Sequence, residues 1–141
     1  MRPAVDKKTR DRIYGVVLAS ACGNSLGGSC IGLSHKEILE SLSVVGLKDF
    51  SGGVPRSYLP GHKPGSLLAD SLLSLELAES IIESGGTLDR QDVKRRYAHL
   101  LEDGEFLGGS PGAACLAALR RFADGQAPLD CSTARLLASA C

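Results

Sequence analysis

The chain has 141 residues, of which 43% are apolar and 4% aromatic, and it contains no tryptophan. This is enough apolar material for one core of ordinary single-domain size, and we expect one domain spanning residues 1–141. The 16 lysine and arginine residues balance the 16 aspartate and glutamate residues, so the formal net charge is zero. Neither nucleic acid nor an anionic membrane would attract such a chain through bulk electrostatics.

The N-terminal segment combines basic residues with a short apolar run and loosely resembles a secretory signal. Asp6, Asp11 and Gly15 interrupt that pattern, which favours an amphipathic first helix over residues 9–22. We expect Thr9 to be the N-cap and Gly23 to end the helix. One face would then carry Ile13, Val16, Val17 and Ser20.

No stretch approaches the roughly 18 consecutive apolar residues of a membrane span, so we expect an intracellular, cytoplasmic protein. The five cysteines are widely spaced and form no CxxC pair, which disfavours a zinc site and a disulfide scaffold. We expect them to be buried or partly buried thiols in a reducing compartment. They are Cys22, Cys30, Cys115, Cys131 and Cys141.

A second helix begins at Ser34, which forms a capping box with Glu37, and should end near Gly46. Residues 47–65 contain four glycines and three prolines without helical or strand periodicity. We therefore predict a long loop, which in a compact domain needs a functional or packing reason.

Three further helices follow this loop. The most apolar begins at Ser66 or Leu67 and ends at Ser84 before two glycines, and its wide apolar arc predicts a helix surrounded by others. The next begins at Asp89, with Lys94, Arg95 and Arg96 largely in water.

Ser110 and Pro111 fit a cap followed by proline at the first helical position, and predict a helix that extends to Gly125. A last helix is predicted from Ser132 to the end of the chain. Because no alternating strand pattern appears, the fold class is all-α.

Three segments place polar or glycine residues where helix packing does not require them. These are residues 23–27, the helix start at Asp70 and residues 108–112. Glycines before a helix let a backbone approach an anion such as a diphosphate, although ordinary capping explains them equally. The carboxylate of Asp70 could bind Mg²⁺ or could complement the helix dipole.

The order of these segments resembles the ADP-ribosylglycohydrolase family, including the related J1-type crystallins and selenoprotein J. Residues 23–27 (GNSLG) are similar to the Gly-Asp-Ala-x-Gly motif at the end of that family's first helix. Residues 68–71 (LADS) resemble its Thr-Asp-Asp-Thr metal motif, and residues 109–114 (GSPGAA) resemble its glycine-rich substrate loop.

The resemblance implies an all-α orthogonal helical bundle that binds two Mg²⁺ ions and cleaves the glycosidic bond joining ADP-ribose to an acceptor. Carried onto this sequence, it implies Asp70 and, more weakly, Asn24 as metal ligands. It implies no catalytic residue here. The implied substrate-binding residues are Gly109, Ser110, Pro111 and Gly112.

Several positions depart from the family pattern. Asn24 stands where an acidic residue is expected, and Ile31 where many members have a catalytic glutamate. Leu68 and Ala69 replace the Thr and the first Asp of the metal motif. The family's second metal motif, Asp-x-Asp, has no counterpart, so we expect a truncated domain.

The leading hypothesis is therefore a divergent, inactive member that retains ADP-ribose or nucleotide binding. Two alternatives stay open. One is the N-terminal part of an active Mg²⁺-dependent hydrolase, and the other is a structural or partner-binding helical protein of crystallin type. An uncovered apolar side of the helix that begins near Leu67 would also favour self-association.

Overall fold

A computed structural model describes residues 5–42 and 49–126. Every regular element in these two ranges is helical, which confirms the all-α prediction. By its internal contacts the chain divides into two compact units, Met1–Ser66 and Leu67–Cys141. Each unit is described by itself below, and the single-domain assignment stays a prediction. Within the described ranges, no helix is both long enough and apolar enough to cross a lipid bilayer.

The first unit contains α1 (Lys7–Gly28) and α2 (His35–Leu42). Asp6 is the N-cap of α1, because its carboxylate accepts hydrogen bonds from the backbone N–H of Thr9 at 3.0 Å and from the Thr9 hydroxyl at 2.6 Å. The predicted cap at Thr9 is therefore wrong by one helical turn. The predicted end at Gly23 is also wrong, since the helix continues to Gly28.

Packing within the unit explains why α1 continues past Gly23 and Asn24, two residue types that disfavour helix. The imidazole Nε2 of His62 lies 3.1 Å from the carbonyl oxygen of Ser25, and the ring covers Gly28, where a Cβ would approach it to 2.8 Å. The N–H of Val54 donates to the carbonyl of Ser29 at 3.2 Å. These contacts outweigh the cost of about 1 kcal/mol that a glycine imposes inside a helix.

The predicted capping box at the start of α2 is confirmed. Glu37 accepts hydrogen bonds from the N–H and the hydroxyl of Ser34, at 2.8 and 2.6 Å, and the Ser34 hydroxyl accepts from the N–H of Glu37 at 3.3 Å. The predicted end near Gly46 lies outside the described residues. From residue 49 to residue 65 the chain has no helix or strand, which agrees with the predicted loop.

The first half of α1 does not form the buried face that its pattern suggests. Its large apolar side chains are between 48 and 70% exposed, whereas the described contacts of α1 with the loop at residues 49–65 are made by the C-terminal turns of the helix. The exposed side chains are Ile13, Tyr14, Val16, Val17 and Leu18.

The second unit contains α3 (Ala69–Glu83), α4 (Arg90–His99), α5 (Gly104–Gly108) and α6 (Ala113–Ala123), with a 3₁₀ turn at Leu100–Glu102. Its core is formed by Ala69, Leu100, Phe106 and Leu119, and Phe106 has no exposed surface. The helix starting at Asp89 and the glycine stop after α3 are confirmed. The short α5 is not predicted by the sequence pattern. The helix expected from Ser132 lies outside the described residues.

Arg96 corrects the prediction that residues 94–96 are largely in water. Its side chain is 11% exposed and joins α4 to α3. The guanidinium contacts four carboxylates, at distances of 2.6 to 3.3 Å. They belong to Glu76, Glu79, Glu83 and Asp92. Sequence alone does not reveal this cluster, because three of the four partners lie on another helix.

The charges of this cluster shift the titration of its members. The pKa of Asp92 is held below its ordinary value chiefly by hydrogen bonds from Arg96 and Arg95. A lowered carboxyl pKa contributes stability that is present at neutral pH and is lost as the pH falls below about 4.

We expect Arg96→Met to lower the unfolding free energy at pH 7, because four carboxylates lose the cation between them. The deficit should shrink as the pH falls towards about 4, where protonation relieves carboxylate repulsion. Urea denaturation at both pH values measures this. Arg95→Met is the matched control, since the Arg95 side chain is 71% exposed. Equal losses in the two variants would contradict the assignment.

Candidate ligand site

The start of α3 and the loop before α6 lie against each other in the second unit. The N–H of Ala69 donates to the carbonyl of Gly109 at 3.3 Å. Gly109 is buried, and a Cβ at this position would lie 2.7 Å from the backbone nitrogen of Ala69. Two of the segments singled out by sequence, at residue 70 and at residues 108–112, are thus brought together.

The loop is held by hydrogen bonds to the preceding helix. The Asp103 carboxylate caps α5 by accepting from the N–H groups of Glu105 and Phe106. The N–H of Gly109 then donates to the carbonyls of the same two residues, at 2.9 and 3.1 Å. Ser110 follows with φ of 53°, the left-handed region that non-glycine residues rarely adopt. A strained residue held by its surroundings marks this loop as a candidate functional segment.

The predicted cap of α6 at Ser110 and Pro111 is wrong. The helix begins at Ala113, and Gly112 is its N-cap with φ of −61° and ψ of 158°. Ser110 lies in the turn before the helix, so the Ser110 hydroxyl is not at the N-cap position. Gly112 has no side chain, and the first turn of α6 therefore receives no side-chain cap.

This helix start offers backbone rather than side-chain chemistry. Gly112 is exposed, and a Cβ added there would meet nothing within 4 Å. N–H groups at a helix N-terminus point outward and carry partial positive charge. The surface therefore suits a small anion such as a phosphate group.

Asp70 lies in the first turn of α3 and is exposed. Its charge raises the pKa of the Cys115 thiol, after the larger effect of burial of that thiol. The carboxylate therefore acts on the first turn of α6, which contains Cys115. The Ser74 hydroxyl donates to the backbone carbonyl of Asp70 at 2.8 Å, one turn further along α3.

Asn24 lies inside α1 and is half-buried. Its segment, residues 23–27, forms the C-terminal turns of α1, which ends at Gly28. Asn24 belongs to the first unit and Asp70 to the second. The metal-binding role of Asn24 stays a prediction.

The side chains around Asp70 do not fit a two-metal centre. Mg²⁺ requires several oxygen ligands, whereas Leu68 and Ala69 are apolar and 6 and 4% exposed. Across residues 5–42 and 49–126, no three His, Cys, Asp or Glu side chains are grouped so that they could hold a metal ion. One carboxylate, that of Asp70, remains at the position of the metal motif.

Of the five cysteines, three lie within the described residues and all three are free thiols. Cys30 and Cys115 are half-buried, as expected, whereas Cys22 is exposed. The electrostatic effect of Asp70 on the Cys115 thiol was not expected, because the two residues lie far apart in sequence. Cys131 and Cys141 lie outside the described residues.

Comparison with known families gives a match over nearly the whole chain. The sequence model of the ADP-ribosylglycohydrolase family matches residues 5–140. No curated protein matches the chain.

Two glycines of the loop provide a matched test of its packing. Gly109→Ala places a methyl group against the backbone of α3 and should destabilise the protein by about 1–3 kcal/mol. Gly112→Ala enters open space with a compatible backbone and should change stability by less than about 0.5 kcal/mol. Urea denaturation of both variants measures the difference. Similar losses in both would contradict the close approach of Gly109 to Ala69.

The reactivity of the Cys115 thiol tests its electrostatic interaction with Asp70. Asp70→Asn removes a negative charge that opposes formation of the thiolate, so the pKa of Cys115 should fall. Alkylation of Cys115 by iodoacetamide at pH 8 should then become faster, as followed by peptide mass spectrometry. Asp124→Asn, at the other end of α6, should leave the rate unchanged. An unchanged rate in the Asp70→Asn variant would show that the Asp70 carboxylate does not influence the Cys115 thiol.

Proposed function

Because this chain belongs to the ADP-ribosylglycohydrolase family, we propose that it binds ADP-ribose or a related nucleotide and lacks hydrolase activity. The binding site is the loop of Gly109, Ser110, Pro111 and Gly112 together with the first turn of α6. Within the family, the motif departures favour a place near the J1-type crystallins and selenoprotein J.

The single observation that carries the binding proposal is the open start of α6. Gly112 leaves the first-turn N–H groups without a side-chain cap, and the space beside it can admit a ligand atom. Gly109, in contrast, fixes the loop to α3 through a backbone hydrogen bond. A loop anchored at one glycine and open at the other is suited to contact a diphosphate through its backbone.

The loss of hydrolase activity is inferred from the residues at the start of α3. Metal-assisted hydrolysis requires ligands that hold the ions in a fixed geometry. Leu68 and Ala69 instead occupy buried, apolar positions, and Ala69 belongs to the core around Phe106. An aspartate at position 69 would place a charge in that core, which is costly without a partner. The packing of this unit therefore depends on an apolar residue at position 69, and that residue cannot bind a metal ion.

Asp70 keeps a role in this proposal without a metal centre. In the first turn of α3 its carboxylate complements the positive end of the helix dipole. The same charge beside the loop disfavours anions that carry no compensating cation. We therefore expect Mg²⁺, the cofactor implied by the family, to have a larger effect on nucleotide affinity than on the rate of any bond-breaking step.

Binding is tested by thermal denaturation with millimolar ADP-ribose, with ADP and ribose 5-phosphate for comparison. A ligand specific for the folded state raises the melting temperature, and saturation to 100 times Kd contributes about 2.7 kcal/mol. Gly112→Leu should abolish the shift in melting temperature, because the leucine side chain fills the open space. Gly112→Ala is the matched variant at the same position and should fold normally. No shift with any of the three compounds would favour a structural, partner-binding protein instead.

The catalytic part of the proposal needs a separate assay. The protein is incubated with Mg²⁺ and an ADP-ribosylated peptide, and free ADP-ribose is measured by chromatography. Release no faster than in buffer is the expected result. Release well above buffer that also depends on Asp70 would overturn the inactive assignment and would favour an active hydrolase.

A further inference from the structure

Asp103 caps the short helix from which the glycine loop extends. Its carboxylate accepts hydrogen bonds from the N–H groups of Glu105 and Phe106, at 2.7 and 3.2 Å. The helix, α5, has only five residues, and so short a helix is not stable by itself in water. The geometry of α5 therefore depends on this cap and on the side chain of Phe106, which has no exposed surface.

The loop begins where α5 ends and is hydrogen-bonded to it. The N–H of Gly109 donates to the carbonyls of Glu105 and Phe106, at 2.9 and 3.1 Å, and the N–H of Ser110 donates to the carbonyl of Leu107 at 3.2 Å. The two residues whose N–H groups are bound by the capping carboxylate are thus the two whose carbonyls hold Gly109. A change at the cap is transmitted to the loop through a single turn of helix.

The backbone of Ser110 makes this support necessary. Its φ of 53° lies in the left-handed region, which a non-glycine residue keeps only where its surroundings enforce it. Ser110 is exposed, so the constraint comes from the hydrogen bond to Leu107 and from the neighbouring Gly109. Relaxation of Ser110 to a negative φ would redirect the chain that leads to Gly112.

We propose that Asp103 is a positioning residue for the anion-binding loop. By capping α5 it fixes Gly109 and the left-handed Ser110, and through them it sets the direction of the backbone N–H groups at the start of α6. Asp103 acts through α5 and not by contact with the ligand. This inference rests on the proposed binding of a nucleotide at that loop.

The charge and the capping role of Asp103 predict opposite effects on affinity. A carboxylate repels an anionic ligand, so removing the charge alone would strengthen binding. Loss of the cap would weaken binding, because the loop would spend less time in the arrangement that accepts the ligand. Weaker binding on removal of the carboxylate therefore identifies positioning.

Asp89 provides a matched control, because it caps α4 in the same way. Its carboxylate accepts hydrogen bonds from the N–H groups of Gln91 and Asp92, at 2.9 and 3.2 Å. Asp89 and Asp103 are both exposed and both belong to the second unit. The loop, however, continues from α5, so loss of the cap on α4 should leave the loop in place.

The test measures the affinity of the full chain for ADP-ribose by isothermal titration calorimetry. Asp103→Ala should weaken binding about tenfold, the factor that corresponds to the loss of one helix cap. Asp103→Asn keeps a capping oxygen without the charge and should bind at least as tightly as the wild type. Asp89→Ala should lower the melting temperature about as much as Asp103→Ala but leave the affinity unchanged. Unchanged affinity in Asp103→Ala, or equal losses in Asp103→Ala and either of the other two variants, would overturn the inference.

Amide hydrogen exchange of the unliganded protein separates this inference from the proposed nucleotide binding. The N–H of the buried Gly109 should exchange about tenfold faster in Asp103→Ala than in the wild type, and at the wild-type rate in Asp103→Asn and Asp89→Ala. Faster exchange in a protein that binds no ADP-ribose would reject nucleotide binding and still support Asp103 as the residue that positions the loop. An unchanged exchange rate in Asp103→Ala would overturn the inference, whether or not the wild type binds the nucleotide.

Discussion

The contact between Gly109 and Ala69 is the constraint on which the candidate site depends. A backbone nitrogen approaches the glycine so closely that no side chain could stand there, and the hydrogen bond from Ala69 fixes the distance. The start of α3 lies against the loop before α6 for this reason. Their proximity brings the carboxylate of Asp70 near the open loop, and it also places Ala69 in the core.

The same constraint bears on the departures from the family motifs that the sequence predicts at the start of α3. A side chain at position 69 can either pack in the core or bind a metal ion, and Ala69 packs in the core. The glycine loop is held through backbone hydrogen bonds of Gly109 rather than through side chains. The proposed binding through backbone groups and the proposed absence of a metal centre are therefore compatible within one short segment of the fold.

Electrostatics organises the remainder of the second unit. Arg96 is shared by four carboxylates, and three of them lie on α3. The guanidinium holds α3 and α4 together, but it does not neutralise the cluster. The excess negative charge lies on the outer side of α3, beside exposed apolar side chains. A neutral composition thus conceals a local excess of negative charge in the second unit.

The sequence by itself determined the helical class, the capping box of α2, the start of α4 at Asp89 and the glycine stop after α3. These features depend on residues three or four positions apart, whose interactions are local. It also indicated the family, through the order of short motifs. Tertiary structure decided that α1 extends to Gly28, that Gly112 rather than Ser110 caps α6, and that Arg96 is nearly buried. Each of these depends on a partner distant in sequence or on a backbone conformation imposed by packing, such as the left-handed Ser110, and neither is encoded in local spacing.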